Sequence, residues 1–306
     1  MRIVAALGGN ALLRRGETAD IETQRRNVAV AARALAPLAR DHQLVVTHGN
    51  GPQIGLLALQ AAALDGVEPY PLDVLGAETD GMLGYLIERA LAREVPGREV
   101  VTVLTCVEVD PADPAFARPT KPVGPIYPAA RATALARDHG FTMVEEPTGW
   151  RRAVASPLPR RIVQLAPVRT LLETGHVVVC AGGGGIPVAV DADGSERGVE
   201  AVVDKDRTSA LLAEMLGADR LLLLTDVDAV RTAWPPPAGE PIRHAGVSAL
   251  EGRAFDAGSM GPKVGAACDF VRRTGQRAAI GALADATRLA MGDAGTQVEP
   301  DPTPRV

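Results

Sequence analysis

Short runs of consecutive apolar residues alternate along the chain with longer stretches in which apolar residues recur every three or four positions. The short runs predict buried strands, and the recurring positions predict helices with one apolar face. The predicted strands are Arg2–Leu7, Leu44–Thr47, Val100–Thr105, Val177–Ala181, Arg220–Leu224 and Arg277–Gly281. The predicted helices are Ile21–Arg40, Gln53–Leu64, Glu78–Arg93, Ala129–His139, Pro167–Glu173, Lys205–Leu216 and Pro262–Thr274.

The alternation of strands and helices predicts an α/β fold. Residues Leu221–Leu224 are all apolar, which predicts burial on both faces, as in a parallel sheet between two layers of helices. Residues 107–160 contain many prolines and predict an insertion that stands off the sheet, whereas residues 232–243 predict an exposed loop. A proline-rich tail over 299–306 predicts a frayed end.

Composition and charge narrow the classes of protein. The chain of 306 residues is long enough for one large domain or two lobes. Its net charge of −5 and its 3% aromatic content argue against a general nucleic-acid binder. No apolar run approaches the roughly 20 residues that span a bilayer, and three scattered cysteines fit a reducing compartment, so we expect a cytoplasmic protein. Five dispersed histidines without an HExxH motif argue against a zinc site.

Lysine is rare in this chain. Three lysines, Lys121, Lys205 and Lys263, stand among thirty-two lysines and arginines. Arginine supplies nearly all of the basic surface, so each remaining lysine is a candidate for a functional position. A lysine offers a compact point charge, which suits the oxygens of a phosphoryl group during its transfer. Coding bias could also leave three lysines on a solvated surface. The neighbours of the three lysines are unusual and include prolines, aspartates and glycines, which favours a functional role for these lysines over coding bias.

Three predicted strands end in glycine-rich turns: Gly8-Gly9-Asn10, Gly49-Asn50-Gly51 and Gly182-Gly183-Gly184-Gly185. Ligands of open parallel sheets bind beyond the carboxyl ends of the strands, and glycine lets backbone N–H groups converge there on an anion. One such loop is weak evidence, because strand–helix connections often carry glycine. Three of them predict a phosphate-handling edge. The chain lacks a Gly-Lys dipeptide, GxGxxG and GxSxG, which argues against a P-loop, a dinucleotide-binding oxidoreductase and a hydrolase.

Two predicted helix starts carry lysine. Asp204 is a natural N-cap in Asp204-Lys205-Asp206, where Lys205 could neutralise phosphoryl oxygens while Asp206 orders the lysines. Capping plus a surface ion pair is the alternative. Lys263 follows Pro262 in the first turn of another helix, whose positive end disfavours a cation unless an anion binds there. Lys263 is therefore the strongest candidate for contact with nucleotide phosphate.

The predicted strand that ends at Leu224 runs into two acids, Asp226 and Asp228. These carboxylates could bind a ribose or a solvated Mg²⁺, or could simply cap the turn.

Together these motifs resemble the carbamate kinases of the amino acid kinase family. The matching stretches are Ala6–Leu12, Thr47–Gly55, Asp110–Pro125, Cys180–Val188, Gly198–Asp206, Leu224–Val230 and Gly258–Lys263. They occur in family order and cover nearly the whole chain apart from the tail. The run that contains Lys121 distinguishes carbamate kinases from acetylglutamate, aspartate and uridylate kinases. Many amino acid kinases place a lysine before the first double glycine, where this chain has Ala5-Ala6-Leu7, and carbamate kinases share that departure.

The resemblance implies reversible phosphoryl transfer, ATP + carbamate ⇌ ADP + carbamoyl phosphate, with Mg²⁺ held through the nucleotide phosphates. It implies an open sandwich of two lobes, with residues 1–198 on the carbamate side and 199–306 on the nucleotide side. It also implies a homodimer and a role in making ATP during arginine catabolism. Another small-acid kinase of this family is one alternative, and a non-catalytic nucleotide-binding protein on the same fold is the other.

The resemblance also implies roles for individual residues. Carbamate and the transferring phosphoryl group would contact Gly8, Gly9, Asn10, Gly49, Asn50 and Gly51. The nucleotide would contact Thr225, Asp226, Val227, Met260, Gly261 and Lys263. Lys205 would span the transferring phosphoryl with Asp206 ordering it, and Lys121 would close over the carbamoyl end from a mobile arm.

Overall fold

The computed structural model describes residues 1–13, 17–18, 20–61, 69–146, 148–233, 239–255 and 260–302. The strands are β1 (Arg2–Leu7), β2 (Gln43–His48), β3 (Val100–Val103), β4 (Cys106–Val109), β5 (Lys121–Tyr127), β6 (Thr142–Glu146), β7 (Gly149–Val154), β8 (Pro159–Ile162), β9 (Val177–Cys180), β10 (Ile186–Val190), β11 (Glu196–Gly198), β12 (Arg220–Thr225), β13 (His244–Gly246), β14 (Arg277–Ala282) and β15 (Thr296–Glu299). The helices are α1 (Gly9–Leu12), α2 (Ile21–Asp41), α3 (Gly51–Ala61), α4 (Leu72–Glu94), α5 (Ala129–His139), α6 (Leu165–Glu173), α7 (Lys205–Leu216), α8 (Val247–Glu251), α9 (Met260–Thr274) and α10 (Ala286–Met291).

The central sheet has eight strands in the order β13-β15-β14-β12-β1-β2-β9-β3. Its strand pairs are parallel except for β14 with β15, which run antiparallel. Successive residues of each strand point to opposite faces, so the alternating residues of β1 enter two separate hydrophobic clusters, Val4 with one and Ile3 with the other. This mostly parallel sheet between helical layers confirms the predicted α/β fold.

Strand β1 and helices α5 and α7 have the predicted bounds, whereas several other elements begin or end elsewhere. Helix α4 begins at Leu72 rather than Glu78, with Gly76 inside its first turns. Strand β3 ends at Val103, because the chain leaves the central sheet there and starts β4 of a second sheet at Cys106. Helix α3 starts at Gly51 rather than Gln53, and helix α9 starts at Met260 rather than Pro262.

Two smaller sheets stand beside the central one. The second sheet has the order β11-β10-β4-β8, and the third has the order β5-β7-β6. We call β5, α5, β6 and β7 the arm. The arm is shorter than the predicted insertion over 107–160, because β4 and β8 belong to the second sheet. The division into lobes at residues 198 and 199 stays a prediction.

The arm packs on α3 through two glycines. A Cβ atom at Gly55 would overlap the backbone of Gly124 in β5, so no other residue permits this approach. Ile54, Leu75 and Val123 belong to the small apolar cluster that surrounds the contact. The arm is thus seated directly on the helix that follows the second glycine loop.

Within the part of the chain that the structure describes, no helix is long and apolar enough to cross a membrane. Residues 234–238 of the predicted exposed loop, and residues 303–306 of the predicted tail, lie outside the described residues.

Candidate active site

The first two glycine loops meet at one edge of the central sheet. Leu7, the last residue of β1, pairs in register with His48 and with Leu224. The backbone N–H of Gly8 donates to the carbonyl of Leu224 at 3.1 Å, and that of Gly49 donates to Leu7 at 3.0 Å. Strand carboxyl ends therefore bring Gly8 and Gly49 together, as the pattern of glycine loops predicts.

The third glycine loop packs against the second. Val179 of β9 pairs with Val46, so β9 ends at the same edge as β2. A Cβ atom at Gly182 would overlap the side chains of Asp80 and His48, and one at Gly183 would overlap that of Asn50. Gly183 also has a φ of 67°, in the left-handed region that favours glycine. Only glycine allows the loop this close to β2.

A buried pair of titratable side chains supports these loops. His48 and Asp80 are both fully buried, with Nε2 and Oδ1 separated by 3.6 Å. Asp80 accepts from the backbone N–H of Gly182 at 3.0 Å and from that of Thr105 at 3.3 Å. Asp80 thereby joins the ends of β2, β3 and β9. No local sequence pattern predicts this pair, because α4 brings Asp80 to the site from a distant part of the chain.

Asn50 has less freedom than the sequence implied. Its side-chain amide donates to Thr79 Oγ1 at 2.8 Å, and the residue is buried. One of its two amide N–H groups is therefore occupied by α4. Gly51 begins α3 and is exposed, while Gly9 and Asn10 lie in the short helix α1. The side chain of Asn10 lies outside the described residues.

Helix α7 is fixed to the same edge by hydroxyl side chains. Thr208 donates from Oγ1 to the carbonyl of Gly184 at 2.8 Å, and Ser209 Oγ lies 2.6 Å from Thr47 Oγ1 at the end of β2. The N-terminus of α7, where Lys205 stands, therefore lies beside the second and third glycine loops.

Asp206 binds two lysines. Its Oδ1 is 2.6 Å from Lys205 Nζ, and its Oδ2 accepts from Lys263 Nζ at 3.2 Å. The three side chains are between 6% and 13% exposed, so the cluster is largely removed from water. Asp206 also removes much of the conflict between Lys263 and the positive start of α9, which we had expected a bound anion to relieve.

Lys205 keeps hydrogen-bonding capacity. Its Nζ lies 2.6 Å from Asp206 Oδ1, and neither atom has a further hydrogen-bond partner among the described residues. Burial lowers the pKa of Lys205, and Asp206 only partly offsets that shift. The ammonium is costly where it stands, so an acceptor such as a phosphoryl oxygen would stabilise it.

Lys121 reaches the same helix from the arm. Its Nζ donates to Asp204 Oδ2 at 2.9 Å. Asp204 is the N-cap of α7, and its Oδ1 accepts from the backbone N–H groups of Asp206 and Arg207. Burial by itself would raise the pKa of Asp204, but Lys121 and the cap hydrogen bonds lower it to about 2. All three lysines of the chain thus lie around the first turn of α7.

The predicted nucleotide residues lie at two places. Thr225 is the last residue of β12, and Asp226 and Val227 follow it directly. Thr225 Oγ1 donates to Asp226 Oδ1 at 3.1 Å. Met260 and Gly261 form the start of α9, and Gly258 and Ser259 lie outside the described residues. Their contact with a nucleotide stays a prediction.

Comparison with known proteins identifies the fold family. The model of the amino acid kinase family matches residues 1–282. The chain belongs to the amino acid kinase family. A carbamate kinase of Rhizobium meliloti is 54% identical over 97% of this chain and 92% of its own length, and one of Haemophilus influenzae is 50% identical over 97% and 96%. A structure of carbamate kinase from Giardia lamblia bound to AMP-PNP is 38% identical and covers 98% of each chain, with a TM-score of 0.89.

In this amino acid kinase, one of the acids beyond β12 is bound by arginines. No group of three or more His, Cys, Asp and Glu side chains suited to a metal ion occurs among the described residues. Asp228, one of the two acids after β12, binds Arg231 at 3.3 Å and Arg243 at 3.0 Å. Asp228 therefore holds two arginines, and a contact of these acids with ribose or Mg²⁺ stays a prediction.

Proposed function

We propose that this chain is a carbamate kinase, which transfers a phosphoryl group reversibly between ATP and carbamate. The observation that carries the proposal is the cluster in which Asp206 holds Lys205 and Lys263 at the glycine-rich edge of the sheet. Two buried ammonium groups around one carboxylate leave an excess of positive charge, which suits a phosphoryl group. Carbamate kinases with 54% and 50% identity support the choice of acceptor.

The proposed mechanism depends on alignment and charge, since phosphoryl transfer needs little covalent help from the protein. The N–H groups of Gly8 and Gly49 bind the carbonyls of Leu224 and Leu7, so other backbone N–H groups of the same two loops surround the carbamate and the equatorial oxygens. Lys205 spans the transferring phosphoryl, and Asp206 fixes its ammonium. Lys263 binds the β–γ side of the nucleotide, and Lys121 covers the carbamoyl end and excludes water.

A divalent metal, proposed here as Mg²⁺, fits this site only through the nucleotide. The described residues supply no cluster of three metal ligands, so the phosphates would provide most of its coordination. When bound, Mg²⁺ neutralises phosphate charge. The lysines provide the remaining positive charge from the protein.

The proposal extends to context: the resemblance supports the homodimer and the role in arginine breakdown, and the scattered cysteines support the compartment. We place the enzyme in the cytoplasm as a homodimer that makes ATP from carbamoyl phosphate during arginine breakdown.

The test is ATP formation from ADP, with carbamoyl phosphate and acetyl phosphate compared as donors. Carbamoyl phosphate should support turnover and acetyl phosphate should be much the poorer donor. Preference for acetyl phosphate would favour another small-acid kinase. ADP binding in calorimetry, without turnover in either direction, would favour a non-catalytic nucleotide-binding protein.

A further inference from the structure

Several contacts attach the arm to the region just before α7. Arg152 in β7 binds Glu200 at 2.9 Å, and Glu200 also accepts from the backbone N–H of Leu72 at the start of α4. The backbone N–H of Val202 donates to Ala155, which directly follows the arm, at 3.0 Å. The segment that ends at Asp204 is therefore the surface on which the arm rests.

Asp204 uses its two carboxylate oxygens for different purposes. Oδ1 accepts from the backbone N–H of Asp206 at 3.0 Å and of Arg207 at 3.2 Å, and so caps α7. Oδ2 accepts from Lys121 Nζ at 2.9 Å. A single side chain thus joins the first turn of α7, which carries Lys205, to the first residue of the arm.

We propose that Asp204 is a positioning residue that holds Lys121, and with it the arm, beside the phosphoryl site around Lys205 and Asp206. This inference rests on the proposed function. Asp204 acts through Lys121 and touches no substrate. None of the site roles expected from the sequence included Asp204, which was interpreted there only as a cap.

The partial exposure of Lys121 and Asp204 distinguishes a positioning role from a contribution to fold stability. The side chains of Lys121 and Asp204 are 26% and 20% exposed, so their ion pair is only partly removed from water. Ion pairs of that kind contribute little to folding, on the order of 1 kcal/mol or less. Helix capping contributes more, but Asn caps as well as Asp. Asp204→Asn should therefore keep the cap and the fold while removing the partner of Lys121.

The closing experiment compares Asp204→Asn with Lys121→Met and with the double variant. Lys121→Met should lower kcat/KM for carbamoyl phosphate about tenfold to a hundredfold, as expected when a charged hydrogen bond is lost. Asp204→Asn should lower it about severalfold, since a partly exposed ion pair holds Lys121 only weakly. The KM for ADP should stay unchanged, because Lys263 is held by Asp206. The kcat/KM of the double variant should be no lower than that of Lys121→Met, since both changes remove the same contact between Lys121 and Asp204. Effects that multiply, or wild-type kinetics in Asp204→Asn, would overturn the proposal.

Asp20→Asn is the matched control. Asp20 is also an aspartate N-cap, at the start of α2, where its side chain accepts from the backbone N–H of Thr23. The change removes the same charge from the same kind of cap, without a lysine partner among the described residues. Its kinetics should equal those of the wild type. An equal loss in Asp20→Asn and Asp204→Asn would assign the effect to capping and would refute positioning.

Amide hydrogen exchange gives a readout that does not depend on the reaction. Asp204→Asn should speed exchange in β5 and β7, while exchange in α7 stays at the wild-type rate. If the wild type makes no ATP from carbamoyl phosphate and yet this pattern appears, the proposed function fails and the attachment of the arm by Asp204 stands. If the wild type is active and β5 exchanges at the same rate in both proteins, the attachment fails alone.

Discussion

Asp204 and Asp206 stand two residues apart at the start of α7, and each binds lysine in a different way. Asp206 is 6% exposed and joins Lys205 to Lys263, both on helices that pack on the central sheet. Asp204 is 20% exposed and joins the cap of α7 to Lys121 of the arm. The Asp206 cluster is built into the core fold, whereas the Asp204 pair exists only while the arm is seated. We infer that the first neutralises charge and that the second assembles the site.

The largest expected effect is the loss of turnover when Lys205, which Asp206 binds, is replaced. Lys205→Ala should lower turnover by a hundredfold or more, since a lost oxyanion donor costs about 2.7–4 kcal/mol of transition-state stabilisation. Lys205→Arg should fail as well, because a planar guanidinium does not reproduce a compact ammonium. A coupled ADP assay measures both variants. Near-wild-type turnover in either one would contradict the role given to Lys205.

Asp206→Asn should lower the free energy of unfolding more than Asp204→Asn does. It takes away the carboxylate that the largely buried ammonium groups of Lys205 and Lys263 share, and removing one partner of a buried ion pair costs on the order of 3 kcal/mol. Asp204→Asn should cost less than about 1 kcal/mol, since its ion pair is partly exposed and the cap remains. Urea unfolding of both variants provides the comparison. Equal losses would mean that the two carboxylates do not differ as described.

Lys263→Ala should act mainly on the nucleotide. Because Lys263 is proposed to bind the β–γ side, KM for ADP should rise about tenfold, the usual effect of losing one charged hydrogen bond. Steady-state kinetics with varied ADP at saturating carbamoyl phosphate give the value. An unchanged KM for ADP with a large loss of kcat would instead place Lys263 at the transferring phosphoryl.

The smallest expected effect is a shift in pH dependence. Burial lowers the pKa of Lys205, so the lysine loses its charge below the usual lysine value of about 10.4. The kcat/KM should therefore fall as pH rises, with a midpoint below that value. Asp204 has a pKa lowered to about 2, so its charge persists below the ordinary aspartate value and is lost only as pH falls toward 2. Activity that stays constant up to pH values above the usual lysine range would contradict the account of Lys205.

Local sequence patterns predicted the central part of the molecule well. Strands such as Arg220–Leu224 are uniformly apolar because both faces of the sheet are covered, and that pattern is visible in the residues themselves. The glycine loops were predictable because the carboxyl ends of parallel strands share an edge. Asp204 was recognised as a cap from its position before α7.

Features made by distant contacts were not predictable. Strand β5 contains Pro122 and Pro125, which argue locally against a strand, yet it pairs with β7 across the arm. The buried pair of His48 and Asp80 needs α4 to cross the end of β2. The second role of Asp204 depends on the arm, which returns Lys121 from 83 residues earlier in the chain. Tertiary packing determines each of these three features, and no local sequence pattern predicts them.

The most direct measurement is steady-state ATP formation from ADP and carbamoyl phosphate by the wild type and by Lys205→Ala, Lys263→Ala and Lys121→Met. We predict an active wild type and three different losses: kcat for Lys205, KM for ADP for Lys263, and kcat/KM for carbamoyl phosphate for Lys121. An inactive wild type, or the same loss in all three variants, would contradict the claim that three lysines serve one phosphoryl site in separate roles.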